Sequence, residues 1–202
     1  MPLLPVRMMS AIPFIGFEFP VGWRRSGATG ATQPCVASYD RVVTASLPVT
    51  RDSLRRVMPM LNPQPMALLP SRVWSIEQWQ RLRLGYRAQD MDEKWNVFAE
   101  GRTLFCHRSW TGHGIYEVQF QAADEGYRIQ TASVESDSGR YRRSSDDYDK
   151  VMLELVLTAI VLGEPAADLR AQLVELTVRA SGQAEIPPGA IQHSALGLRT
   201  NQ

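Results

Sequence analysis

From Trp95 to Val134 the chain alternates apolar and polar residues over four successive segments, each separated from the next by a short turn. Trp95, Val97 and Ala99 share one face of a strand, while Asn96, Phe98 and Glu100 share the other. Glu100-Gly101 makes a tight turn into Thr103 to Arg108, which predicts a hairpin. The next strand, Ile115 to Gln121, sets Tyr116, Val118 and Phe120 against Glu117, Gln119 and Gln121, the mark of a sheet with one dry and one wet face. Asp124-Glu125-Gly126 then returns the chain through Tyr127 to Val134. Four strands in this order predict an antiparallel meander.

A sheet with one dry face needs a cover, and the flanking segments supply helices. Ser75 followed by Gln78 forms a capping box, Trp74 and Trp79 a hydrophobic staple, and Gly85 a stop, so a helix is predicted from Ile76 to Leu84. Ser144 with Asp147 three residues on marks a second N-terminus, where acidic groups meet free amides. Tyr148, Met152, Leu155, Ala159 and Leu162 follow at helical spacing and are expected to cover the sheet. Gly163 and Pro165 end that helix, and a third, with Leu169, Leu173 and Leu176 on one side, is predicted to about Arg179. The expected fold class is therefore α+β, a four-stranded antiparallel meander with helices packed on one face.

Composition divides the chain near Pro70, because ten of the thirteen prolines precede Ser71. Residues 1–70 are expected to be a proline-rich, partly irregular segment, 71–180 the α+β domain and 181–202 a flexible tail. Within the first part, Arg41 to Leu47 reads as strand-like and Asp52 to Met60 as a helix capped by Thr50 or Asp52; Met58, Met60 and Met66 are alternative translation starts. Pro2, Pro5, Pro13, Pro20 and Glu18 interrupt the N-terminal apolar residues, so no signal peptide is expected, and no apolar run reaches membrane-spanning length. Cys35 and Cys106 suit reduced thiols, and a cytoplasmic location follows by default. Twenty-two basic groups against 21 acidic ones give no global field for a nucleic acid or an anionic membrane. Lys94 and Lys150 are the only lysines, an arginine bias that fits a GC-rich bacterial genome.

The segment between the second and third strands concentrates polar chemistry. Arg108, Ser109 and Thr111, with the amides of Gly112 and Gly114, make a donor-rich turn suited to a phosphate or carboxylate. The same residues equally serve as a packed β-turn with Trp110 at the core edge. A strand follows and no lysine is placed as in a phosphate-binding P-loop, so nucleoside triphosphate hydrolysis of that kind is disfavoured. Glu100, His107, Ser109 and His113 are candidate acid and base groups, with Glu100 and His107 the catalytic candidates, although alternation keeps His107 and Arg108 on opposite faces. No metal site is expected, since His107 and His113 lack a third ligand and His193 lies in the tail. Trp95, Phe98, Phe105, Trp110 and Tyr116 serve either as core or as a stacking surface, and Arg140, Arg142 and Arg143 form a small basic patch. No motif specifies a cofactor.

The stretches W-S-I-E-Q-W at Trp74 to Trp79, M-D-E-K-W at Met91 to Trp95, and L-F-C-H-R-S-W-T-G-H-G-I-Y at Leu104 to Tyr116 resemble a family of small bacterial domains of uncharacterised activity. Members of that family are sometimes found beside, or fused to, enzymes of the ADP-ribosylglycohydrolase type. The resemblance covers Ser71 to Gly163 and leaves out the proline-rich N-terminus and the C-terminal helix. It implies ADP-ribose-associated biology, and with the loop chemistry it leads to an expected function: recognition of a nucleotide or ADP-ribose type of ligand through residues 107–114. Arg108, Ser109, Trp110, Thr111, Gly112, His113 and Tyr116 would form that site. A hydrolase or transferase acting on such a ligand, and an antitoxin-like or immunity-like module with a protein partner, are the alternatives.

Overall fold

The computed structural model describes residues 47–182 and 186–199. Six strands form one open antiparallel sheet: β1 Pro63–Pro65, β2 Val73–Trp74, β3 Trp95–Glu100, β4 Thr103–Arg108, β5 Gly114–Ala123 and β6 Gly126–Glu135. Their order is β1-β6-β5-β4-β3, with β2 beside β6 farther along the edge that β1 also occupies. The expected meander is β3 to β6. The correction is two short edge strands, which Pro63 and Pro65 conceal because neither can donate a backbone hydrogen bond.

Register explains the dry face. Val97 lies opposite Cys106, Cys106 opposite Tyr116, and Tyr116 opposite Val134, so the inward positions of four strands form one continuous row. A bulge after Gln119 leaves Phe120 opposite Ile129 and keeps both rings and branches inward. Burial pushes the Cys106 thiol up to about 12, which makes it an inert part of this core. Cys35 lies outside the described residues.

Four helices lie on the dry side: α1 Ile76–Leu84, α2 Asp146–Leu155, α3 Ala167–Ser181 and α4 Pro188–Ala195. In α1 the capping box forms, with Ser75 Oγ accepting from the Gln78 amide and Gln78 Oε1 from the Ser75 amide. Trp79 stacks on Phe120 and Tyr127, and Trp74 meets Phe120 edge-on, so the two tryptophans close on one ring. Gly85 stops the helix at φ 74, where a Cβ would stand 2.3 Å from the Val97 carbonyl. The second cap falls one residue later than expected: Ser145 Oγ accepts from the Tyr148 amide. Helix α2 continues with wider π-helical winding through Val156–Val161, and nearly every side chain from Val151 to Leu162 is buried. A stripe alone would not need this; from Val151 onward the helix is buried because α3 packs on α2 and β3 meets the Val156–Val161 winding.

Packing runs past both expected boundaries. The predicted helix from Asp52 shrinks to a single turn, Arg51–Ser53, after which the chain is extended. Residues Leu54 and Met66 are buried, Met58 pairs with the loop after β4, and β1 joins β6. Of the predicted strand at Arg41 to Leu47, all but Leu47 lies outside the described residues. At the other end, α4 buries Ile191, Ala195 and Leu196 where a flexible tail was expected. Among the described residues no helix is long and apolar enough to cross a membrane.

Glu135 fastens the N-terminal segment. Its buried carboxylate accepts from the backbone amides of Leu61, Asn62, Ser136 and Asp137 at 2.6 to 3.0 Å. Burial pushes its pKa up, but these amides outweigh that and hold it below the ordinary value. A carboxylate lowered on folding stabilises the fold above its unfolded pKa, and that contribution is lost as pH falls through the folded one. His107 obeys the same sign: desolvation, opposed by its bond to Gly112 and aided by Arg51, lowers its pKa. Urea titrations should therefore show stability declining first below about pH 6.5 and further below about pH 4.3. Glu135→Gln should reduce the second decline and remove about 1.5–3 kcal/mol at neutral pH.

Candidate functional site

The loop after β4 is a closed turn, and the expected donors bind within the fold. The Gly112 amide donates to the Arg108 carbonyl at 2.8 Å, and the Gly114 amide to Met58 at 2.8 Å. Ser109 Oγ donates to the Glu93 carbonyl at 2.6 Å and its amide to Lys94 at 3.1 Å. Thr111 Oγ1 accepts from the His113 amide. Gly112 has φ 74, and a Cβ there would stand 2.6 Å from that of Arg56, so the turn is built around the N-terminal segment. The open anion nest expected at Gly112 and Gly114 is thus replaced by a turn whose amides point into protein.

The candidate acid and base groups do not converge. His107 is 3% exposed and stacks on Phe98; its Nδ1 donates to the Gly112 carbonyl at 2.9 Å, which leaves Nε2 as the acceptor. Glu100 is bound by Arg51 at 2.8 Å, and that hydrogen bond lowers its pKa. In register, His107 faces Asn96 and Glu100 faces Thr103, so the two stand four residues apart along the hairpin, roughly 13 Å at about 3.3 Å per residue. His113 stays on the loop. Among the described residues no group of three or more His, Cys, Asp or Glu side chains is gathered as metal ligands.

The aromatic residues separate into core and surface. Trp95, Phe98 and Tyr116 are buried, and Arg51 covers Phe98 and Phe105 with its guanidinium. The Tyr116 hydroxyl pairs with Tyr141 at 2.7 Å, so its ring is no ligand surface. Trp110 alone of these five is largely open, at 54% exposure, yet its indole Nε1 donates to the Met91 carbonyl at 3.1 Å and fixes the ring.

Trp110 forms one wall of a cleft of about 490 Å³. Asn96 lies in its lining at 7% exposure; Oδ1 accepts from the Ala88 amide at 2.8 Å, and Nδ2 has no partner among the described residues. Arg55, Arg56 and Arg87 stand around the rim, with Gln89 and Asp90 as further polar groups. Arg55 and Arg56 are exposed and form no ion pair among the described residues. Two loop residues, Ser109 and Trp110, thus join three arginines that sequence reasoning passed over. Their one sequence signal was the Arg55-Arg56 pair, and Asn96 stood out only as an amide within the apolar run Trp95 to Phe98. Arg108 does not enter this cleft, because it points to the other face of the sheet.

No family model, curated protein or solved structure matches this chain.

Proposed function

We propose that the chain is a small cytoplasmic binding domain that recognises a phosphorylated ring compound of the nucleotide type in the Trp110 cleft. The observation that carries this reading is the unpartnered Asn96 amide in the lining beside a clamped, exposed indole. An indole face stacks any heteroaromatic ring, a buried amide reads its edge, and guanidinium groups hold phosphate. The cleft supplies all three, with Arg55, Arg56 and Arg87 at its mouth. Asn96 Nδ2 opens on the cleft, where a ring nitrogen or carbonyl oxygen would accept from it.

Thermal-shift titration with nucleoside phosphates, ADP-ribose, dinucleotides and inorganic phosphate tests the reading. A ligand at about 100 times its dissociation constant stabilises by roughly 2.7 kcal/mol, a shift of several degrees for a chain this size. Trp110→Ala should weaken the selected ligand by about 1–3 kcal/mol, the usual range for loss of base stacking. A folded protein that none of the panel stabilises would sink the proposal.

A further inference from the structure

Arg108 belongs to the expected loop site but lies outside the Trp110 cleft. It lies opposite Trp95 in the β3–β4 register, so its side chain shares the dry face with the helices. Its guanidinium carbon stands 4.2 Å above the Trp95 ring centroid, and Nη1 donates to the Ala195 carbonyl of α4 at 3.0 Å. Among the described residues no carboxylate lies within ion-pair distance of it, and Nε and Nη2 make no hydrogen bond. The buried carboxylate on this side, Asp149, is engaged elsewhere: Oδ1 accepts from Tyr141 and Tyr116, and Oδ2 from Arg143. Arg108 is half-buried and these remaining donors open on solvent in a cleft, where an anion would pair with them.

The surroundings suit such an anion. Arg108 lines a cleft of about 430 Å³ with no acidic side chain among its described lining residues. Tyr148 beside it is half-buried, and its hydroxyl has no hydrogen-bond partner among the described residues. Ile186, Ala190 and Ile191 form an apolar side, and Arg142 stands exposed among the lining residues. Arg140 is already bound to the Pro59 carbonyl at 2.8 Å, so Arg108 is the half-buried cation of the cleft with donors to spare.

We propose that the Arg108 cleft is a second binding site, for a small organic carboxylate with a short apolar body. The planar fork of Nε and Nη2 matches a carboxylate, with the Tyr148 hydroxyl as a third donor. One deep guanidinium balances a monoanion, and the isoleucines cover a hydrocarbon body. The site is separate from the Trp110 cleft, since Asn96 and Arg108 lie on opposite faces of the sheet.

Isothermal titration of the full chain with benzoate and hexanoate, against inorganic phosphate, tests this. At least one acid should bind saturably, and Arg108→Gln should weaken it about tenfold or more. Tyr148→Phe should weaken it about threefold, and this variant carries the test should Arg108→Gln fail to fold. Trp110→Ala should leave it unchanged, which separates this site from the nucleotide cleft. Absence of saturable binding of either acid, or affinities unmoved by both variants, would overturn the site. Phosphate binding tighter than both acids would overturn the carboxylate assignment.

Discussion

Asp149→Ala should lower the free energy of unfolding by about 3–5 kcal/mol, the usual result of removing one partner from a buried ion pair. Asp149 is fully buried on α2, where no solvent replaces a lost partner. Its carboxylate accepts from Tyr141 at 2.9 Å, Tyr116 at 3.3 Å and Arg143 Nε at 2.7 Å. These partners come from β5 and from the connection before α2, so one side chain ties the covering helix to the sheet. Without it, among the described residues Arg143 retains Asp146 alone, and the two phenols retain each other. Burial, with the Asp149 charge adding to it, holds both phenols well above the ordinary tyrosine range, so they stay neutral donors throughout the working pH range. Asp149→Asn preserves an acceptor and should cost about 1–3 kcal/mol. Urea unfolding at neutral pH measures both, and a loss under about 1 kcal/mol for the alanine variant would refute the tie.

Much of the frame was legible because it obeys local periods. The alternation from Trp95 to Val134 predicts β3 to β6 and their dry face, and Ser75 with Gln78 predicts the start of α1. What escaped depends on partners far away in the chain. Residues Leu61 and Asn62 look structureless until Glu135, more than 70 positions later, accepts their amides. Asp149 reads as one of several acids in the first turn of a helix, and only the meeting of Tyr116 with Tyr141 buries it. The same limit explains the site. Residues 109–113 link β4 to β5, and alternation sends Arg108 to one face while Trp110 stays at the rim of the other cleft. Proximity in sequence therefore joined residues that the sheet separates, and concealed Arg55, Arg56 and Arg87, which reach the Trp110 cleft from two other segments.

Trp95→Ala should destabilise the protein by about 3–5 kcal/mol, as expected for truncating a large ring in a packed core. Trp95 is fully buried and stacks on Tyr116 with centroids 6.0 Å apart. Its Nε1 donates to the Ala195 carbonyl at 3.1 Å, the same oxygen that Arg108 holds at 3.0 Å. The ring is therefore both core and platform: it supports the Arg108 guanidinium and helps fix the end of α4. Trp95→Phe separates these roles, because it keeps an aromatic face beneath Arg108 while removing the bond to Ala195 and part of the ring volume. It should cost less than the alanine change, and hydrogen exchange should quicken in α4 for both variants. Carboxylate binding should fall more in Trp95→Ala than in Trp95→Phe, since only the former strips the aromatic face from the cation. Equal stability of the two variants would mean that an aromatic ring at this position packs no better than a methyl group, and would detach the cleft from the core beneath it.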